Sequence, residues 1–453
     1  MSGASRFPDP GEGRVVVVGA GTAGCVVAGR LAESGYAVDL LDAGPAATPS
    51  SDDRLATTDH LRAHLVADRW WSSSVFRGEG GEGESAVRYV AGRGLGGSSA
   101  VNGLLADIDL DDPALGPTAD AAAALERCRL TIERPQVDEL GDLDRAMLQL
   151  PGARPLDLHR RDGRRADLAE AYLDPGDDIR IIGGALVDRI VEHDARSDSP
   201  SRLQVVTASG DEYWSSVVVL CAGTLHTPAL LQRSKLGERI GEGVQGHPAV
   251  SIPLVRRRPV RRSEIVTGVA VDRGPVQLLA LDHVSAGSAP DGAPDAALLV
   301  ALMRPTGAAG TVEIVADDPV VEPFVRLRSF DELGDLIALR HGVRWALEQL
   351  TTSPLGEVVG SIAGAHGGRT LADLDDHELD DWIRADAGAH AHLVGGCAIG
   401  RTLDTDGRVV GTRAVYVADA SAFPRVPRTG PHLPTIVQAE RLVASWARAK
   451  MSS

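Results

Sequence analysis

The stretch RVVVVGAGTAGCVVAGRLAESGYAVDLLDAG, residues 14–44, opens on an unbroken apolar run, breaks at glycine and then changes period. The run from Arg14 to Val18 predicts a buried strand, the next segment a helix ending before Gly35, and the apolar run reaching Asp42 a second strand. Two strands joined by a helix make a βαβ unit, whose strands lie parallel. Within it Gly19, Gly21 and Gly24 have the spacing G-x-G-x-x-G. In that setting the first glycine permits the tight turn, the second lets backbone approach a pyrophosphate, and the third lets helix and strand pack closely. The positive end of the helix then faces the phosphates. Asp42 stands 23 residues after Gly19, where a carboxylate accepts hydrogen bonds from an adenosine ribose. The unit predicts a nucleotide site and leaves NAD and FAD both open.

The chain of 453 residues is long enough for two or three domains, one of which can be interrupted by another. Hydrophobic residues at 43% and charged residues at 24% describe an ordinary folded protein. A formal net charge of -17 works against binding to nucleic acid or an anionic membrane, and leaves small neutral molecules as the expected partners. The start MSGASRFPDPGEGR has no apolar run of the kind a secretion signal needs, and no apolar stretch is long enough to span a membrane, so the expected location is the cytoplasm. Cys25, Cys128, Cys221 and Cys397 are scattered without CxxC spacing, which fits reduced thiols better than a disulfide framework or a zinc site.

AGRGLGGSSAVNG, residues 91–103, sets five glycines and two serines among apolar positions. Such a loop suits close approach to phosphates or a ring, or else a flexible surface turn. Asparagine occurs only at Asn102, and lysine only at Lys235 and Lys450, as codon bias in a GC-rich genome would produce. The single asparagine therefore marks a position that needs a paired donor and acceptor. VVVLCAGTLHTPALLQRSKLG, residues 217–237, reads as a buried strand running into Cys221-Ala222-Gly223-Thr224, then a helix begun near Thr227 as cap and Pro228 in the first turn. Backbone at Ala222 and Gly223 can touch adenine or ribose there, although the same pattern also makes an ordinary strand-to-helix turn.

GAHAHLVGGCAIG, residues 388–400, sets His390 and His392 beside pliable backbone. A metal site, a structural pair and a catalytic base all fit that description. Alternate residues of a strand point the same way and can share an ion. No further histidine or carboxylate stands at ligand spacing, however, and Asp386 falls in a predicted helix, so no metal is expected. His390 receives no role, and His226 and His247 read as structural residues. The acidic run DLDDHELDD, residues 373–381, reads as a solvated helix face.

GRGLGGSSAVNG and GTLHTPALLQRSKLG resemble the first and second signatures of the glucose-methanol-choline (GMC) flavoprotein oxidoreductases, with Lys235 where that family usually has glycine. GTVEIVADDPVVEPFVRL, residues 310–327, and DLIALRHGVRWALEQL, residues 335–350, are similar to strands and a following helix of the family's substrate domain. HLVGGCAIG resembles H-x-x-G-T-C-x-M-G, with Gly396 for threonine and Ile399 for methionine. VYVADASAFPRVPRTGPHLPTIVQAERL, residues 415–442, is similar to the closing motif: a strand into Asp419-Ala420-Ser421, a loop punctuated by proline, then a helix.

The resemblance implies an α/β fold. A discontinuous Rossmann-like FAD-binding domain would be assembled from residues 12–110, 161–245 and 385–453. A smaller substrate domain, a mainly antiparallel sheet backed by helices, would come from 111–160 and 246–384. Matched residue by residue, the resemblance puts His392 on the catalytic histidine and His432 on its partner, and adds Thr22, Ala23, Ala43, Arg93, Gly96, Gly97, Ser98, Val187, Asp419, Ala420, His432 and Leu433 to the expected FAD contacts. No histidine stands within 96–103, where some members attach flavin covalently, so the FAD is expected to be non-covalent. After Asn102 the chain runs GLLADIDLDDPALGPTADAAAALERCRL, without the family's tryptophan-rich stretch, which implies a reduced cap. Segment 77–85 is an expected loop that shields the flavin, and 285–296 another exposed loop.

The implied activity is oxidation of a CH–OH group of a small alcohol, polyol or sugar. Imidazole has an ordinary pKa of about 6.5 and takes the hydroxyl proton, while the hydride passes to flavin. The electron acceptor is oxygen, a quinone or a redox protein. The alternatives are a lyase acting on cyanohydrins without net redox, and an alcohol dehydrogenase associated with mycofactocin. An NAD-dependent dehydrogenase is the rival for the cofactor.

Overall fold

The computed structural model describes residues 7, 9, 13–77, 86–193, 203–258, 262–287, 290, 293–307, 309–363 and 369–448. Most of the loop expected at 77–85 lies outside the described residues, as does part of the one expected over 285–296.

The opening valines behave as an uninterrupted apolar run must. Val15–Val18 is a buried strand with parallel neighbours on both sides, Val38–Leu41 and Val218–Leu220. Val415–Val417 and Ile179–Ile182 complete a five-stranded parallel sheet in the order 415–417, 218–220, 15–18, 38–41, 179–182. Parallel neighbours require crossovers, and here the crossovers bring strands from early, middle and late in the sequence into one sheet. The helix Thr22–Glu33 crosses between the first two strands. Only glycine fits at position 24, because a Cβ there would stand 1.8 Å from the Gly19 carbonyl oxygen. The closing helix His432–Arg448 packs against Thr22–Glu33, burying Ile436, Ala439, Leu442 and Val443.

The helix after Val218–Leu220 starts at Gly223, earlier than the expected start near Thr227, so Pro228 lies inside it. Thr227 does not cap it. Its Oγ1 accepts from the Ala222 amide at 3.1 Å and donates to Asp419 Oδ2 at 2.6 Å, and the same carboxylate oxygen accepts from the Gly223 amide at 2.7 Å. A carboxylate from the far end of the chain thus takes the place of a local cap. The helix ends on Lys235 at φ 55, a left-handed position that favours glycine.

Six antiparallel strands form a second sheet in the order 359–362, 249–256, 296–302, 276–281, 269–273, 153–155. The helix expected over 335–350 runs from Leu333 to Thr352 and backs this sheet, burying Leu336, Leu339, Val343 and Ala346 in its core. A third, mixed sheet joins Glu242–Val244, Gly310–Glu313 and Phe324–Leu327 to the hairpin Trp70–Arg77 and Ala86–Gly92. The architecture is the expected α/β one, with a parallel nucleotide-type sheet and a mainly antiparallel second sheet backed by helices. Among the described residues no helix is long and apolar enough to cross a membrane.

Candidate active site

One continuous cavity of about 530 Å³ extends along the carboxyl ends of the parallel strands, from Gly19 and Asp42 to His392 and His432. Ligands of open parallel sheets bind at this edge. Gly21, Thr22, Ala23, Ala43, Arg93, Gly97, Ser98, Asn102, Val187, Ala222, Gly223, Asp419 and Ala420 also line it. Three expected residues do not. Gly24 is spent on helix-to-strand packing, and the Gly96 amide donates to the Ala20 carbonyl at 2.9 Å. The Leu433 side chain is buried with Val394, Phe423 and Val437.

At the strand end, the helix Thr22–Glu33 begins without a side-chain cap and without an acidic residue in its first turn, so its amides face the cavity without a protein acceptor from a cap. That end suits a pyrophosphate. Asp42 is more heavily committed than its sequence position implies. Its Oδ2 accepts from the Ala20 amide at 2.7 Å, and Oδ1 accepts from the Gly44 and Gly94 amides at 2.7 and 2.8 Å. It braces three loop segments and keeps limited acceptor capacity for a ribose. Arg93 donates to the Ala43 carbonyl at 2.8 Å and lies 4.3 Å over the Trp71 ring.

Asn102 owes its place to a buried guanidinium. Arg165 donates to Asn102 Oδ1 at 2.8 Å, to the Asn102 carbonyl at 2.7 Å, to the Ser99 carbonyl at 2.8 Å and to the Leu55 carbonyl at 3.1 Å. Burial brings its pKa down to about 9, against a smaller opposing pull from the Asp167 carboxylate. The Leu104 amide also donates to Asn102 Oδ1. The acceptor end of Asn102 is therefore consumed internally, and its amide nitrogen, at the cavity wall, has no partner among the described residues.

The histidines gather at the other end. His390 and Ala391 do not form a strand; both take left-handed backbone, φ 47 and 55, in a turn. That removes the alternation on which ion sharing by His390 and His392 would rest, although their rings still meet at 4.3 Å between centroids. His392 Nδ1 lies 2.9 Å from His247 Nδ1, and His247 Nε2 lies 2.8 Å from the Pro427 carbonyl oxygen. A carbonyl only accepts, so His247 carries its hydrogen on Nε2 and its bare Nδ1 must accept. His392 then carries its hydrogen on Nδ1, which leaves the Nε2 lone pair free. Burial holds both rings neutral: His247 is brought down to about 3, and His392 well below the imidazole range, with smaller contributions from His390 and His247. Gly430 faces the free edge of His392, where even a Cβ would come within 3.4 Å of Nε2.

His432 opens the last helix and lines the same cavity. Its Nε2 lies 3.4 Å from Nδ1 of the buried His159, a separation too long to fix either tautomer. Burial first, then His159 and Arg165, push its pKa down to about 3.

The cavity also holds residues the sequence reading passed over. His60 and His64 face it from one short helical turn, with His64 Nε2 at 3.1 Å from the Val101 carbonyl. Their i, i+4 spacing in DHLRAH was a legible signal. Trp71, Tyr89, His226 and His390 line it as well. His226 is partnered as a structural residue would be, 3.5 Å from Glu322, but it stands on the wall. His247 and His159 had no local signal, since only the folded chain brings them to His392 and His432.

Two family models described as GMC oxidoreductase match residues 151–249 and 305–439, and a model of a Rossmann-like NAD(P)-binding domain matches 17–74. A GMC-type oxidoreductase of Rhodococcus erythropolis is 24% identical over 95% of this chain and 97% of its own length. (R)-mandelonitrile lyase 2 of Prunus dulcis is 23% identical over 92% of this chain and 83% of its own. Among solved structures, pyridoxine 4-oxidase from Mesorbium loti superposes with a TM-score of 0.79 at 22% identity, covering 97% of this chain and 99% of that one. A formate oxidase variant of Aspergillus oryzae, described for its FAD modification, superposes with a TM-score of 0.82 at 18% identity, covering 97% and 98%. Both structural likenesses are of fold. The chain belongs to the GMC oxidoreductase family, whose members bind FAD.

Proposed function

We propose that the protein oxidises the CH–OH group of a small neutral alcohol, with His392 as the base, His432 as its partner and non-covalently held FAD as the oxidant. One observation supports this above the rest: the chain Pro427–His247–His392 leaves a neutral His392 with its lone pair on Nε2, at the cavity edge beside Gly430. An alcohol hydroxyl hydrogen-bonded to Nε2 gives up its proton there, and Nδ1–H keeps its bond to His247 throughout. FAD, when bound, supplies the two-electron acceptor for the hydride that leaves the carbinol carbon. An R–CH₂OH substrate thus becomes R–CHO, with one proton on His392 and two electrons passed on. The depressed pKa of His392 keeps Nε2 unprotonated into weakly acidic solution. It also weakens the drive for proton transfer, so hydride departure has to follow closely. His432 orients the same oxygen.

At the nucleotide end, the open helix start at Thr22 and the glycines that line the cavity suit the pyrophosphate. The Asn102 amide nitrogen is a donor for the ring or ribityl side. The division of the chain into FAD-binding segments 12–110, 161–245 and 385–453 and a substrate domain of 111–160 and 246–384 goes with this reading.

Anaerobic mixing of the yellow holoprotein with a panel of alcohols tests the proposal. Bleaching of the flavin bands by at least one alcohol is the expected result. Turnover of a cyanohydrin with the flavin still oxidised would favour the lyase reading instead.

A further inference from the structure

A proton taken by His392 has to leave again, and the hydrogen bonds around the ring limit its way out. On the Nδ1 side the path is closed. His392 Nδ1–H bonds to His247 Nδ1, and the Nε2–H of His247 faces the Pro427 carbonyl, which has no proton to pass on in turn. The proton must depart from Nε2, the atom that received it, inside a cavity that cofactor and substrate would fill.

A second cavity of about 500 Å³ adjoins the first, and Tyr89, Val90, Leu299, His390 and Ala391 line both. Of these, only Tyr89 and His390 have side chains that can transfer a proton. The Tyr89 hydroxyl is committed to the Ala391 carbonyl at 3.3 Å. The His390 ring has no hydrogen bond among the described residues, and its centroid lies 4.3 Å from that of His392 with the ring planes at 70°. Rings in contact edge to face are close enough for one water, or the substrate oxygen, to link their nitrogens. Left-handed backbone at His390 and Ala391, φ 47 and 55, holds the ring in this place. Such strain persists only where the surroundings over-determine it, and it collects at functional sites.

The far side suits the exit of a proton. Arg88, Ser251 and Asp386 line the second cavity and are exposed. A polar space of that size admits water, and the Asp386 carboxylate adds an acceptor. His390 thus stands between the reaction cavity and a space open to solvent.

We propose that His390 relays the substrate proton from His392 to water in the second cavity. This rests on the alcohol-oxidation reading and adds the route by which its proton is discharged. The hydroxyl proton moves to His392 Nε2, then to His390, then to water. The two electrons leave the carbinol carbon with the hydride, so one proton reaches solvent for each alcohol oxidised. Desolvation lowers the pKa of His390 to about 4, so the ring gives the proton up to neutral water.

The test follows two signals when holoprotein is mixed anaerobically with a reducing alcohol in weak buffer: bleaching of the flavin, and proton release to an indicator dye that absorbs outside the flavin bands. In wild type the two should coincide. His390→Asn keeps a polar side chain that tolerates left-handed backbone. There, proton release should lag bleaching by at least about tenfold, a modest share of the about 10² to 10⁴ that a positioned proton-transfer group contributes. His390→Gly is equally at ease at this φ and vacates the ring; it should show the same lag, and added imidazole should shorten it. Proton release that coincides with bleaching in both variants overturns the relay while alcohol oxidation stands. If no alcohol bleaches the flavin, the oxidation reading falls and the relay is tested without it. Light-reduced holoprotein is then reoxidised with ferricenium, which takes electrons and leaves the protons behind. A lag in proton release confined to the His390 variants supports the relay there, and its absence overturns it.

Discussion

Replacing His247 with alanine would remove both hydrogen bonds that fix the tautomer of His392, the 2.9 Å contact to Nδ1 and the 2.8 Å contact to Pro427. Each bond contributes about 0.5–1.5 kcal/mol net, and a buried N–H left unpaired costs about 1–3 kcal/mol. That is enough to abolish the preference for the hydrogen on Nδ1. Equal tautomer populations alone would only halve the competent base. The larger loss is orientation: outer-shell partners that orient metal-bound histidines contribute about 10–100-fold to activity, and His247 orients a histidine base in the same way. Flavin reduction by a good alcohol should therefore slow about 10–100-fold, measured by anaerobic stopped flow on protein of equal flavin content. His247→Gln provides the control, because its amide oxygen can accept from His392 Nδ1–H while its amide nitrogen donates to Pro427. It should recover most of the loss, which separates positioning from general destabilisation of a buried site. Full-speed reduction by His247→Ala, with an unchanged pH profile, would refute the tautomer reasoning.

Stability should depend on pH in a definite direction. His159 and His247, both buried in the structure, are brought down to about 4 and about 3, with burial the largest cause each time. The unfolded chain therefore binds more protons between about pH 4 and 6.5, and stability falls as pH drops through that window, by up to about 1.4 kcal/mol per pH unit for each ring. The urea midpoint of the apoprotein should be level above pH 7 and fall steeply from pH 6.5 to 5; a level midpoint over that range would contradict the burial of these rings. Arg165→Met leaves the Leu55, Ser99 and Asn102 acceptors without their donor. A charge-assisted bond of about 1.5–3 kcal/mol is at stake in each, so FAD affinity should drop at least about tenfold by equilibrium titration, and undiminished affinity would show that the loop needs no brace. Lys235→Gly relieves a left-handed residue at an exposed helix end and should stabilise the protein by about 1 kcal/mol in urea unfolding. No gain would mean that Lys235 has a compensating contact.

Local periodicity made the nucleotide half legible. The valine run, the glycine spacing and the helix before Gly35 each follow from interactions within a few residues, and the structure has them at Val15–Val18 and Thr22–Glu33. Asn102 stood out by rarity, and its Arg165 partner explains why. Where local reasoning failed, a distant residue had intervened. The helix expected near Thr227 starts at Gly223 because Asp419, almost 200 positions away, accepts the amide there. His247 reads as structural and is indeed buried with both ring nitrogens bonded, yet one partner is His392, 145 positions along the chain. Alternation at His390 and His392 looked like a strand and is a left-handed turn. Backbone strain of that kind leaves no trace in composition.

Single-turnover reduction of the flavin in His392→Ala tests the central assignment most directly. A lost base typically costs about 10² to 10⁴ in rate. The variant should keep its yellow flavin and fold, and its bleaching by alcohol should slow by that factor. Reduction within a few-fold of wild type would mean that Nε2 of His392 takes no proton from the substrate.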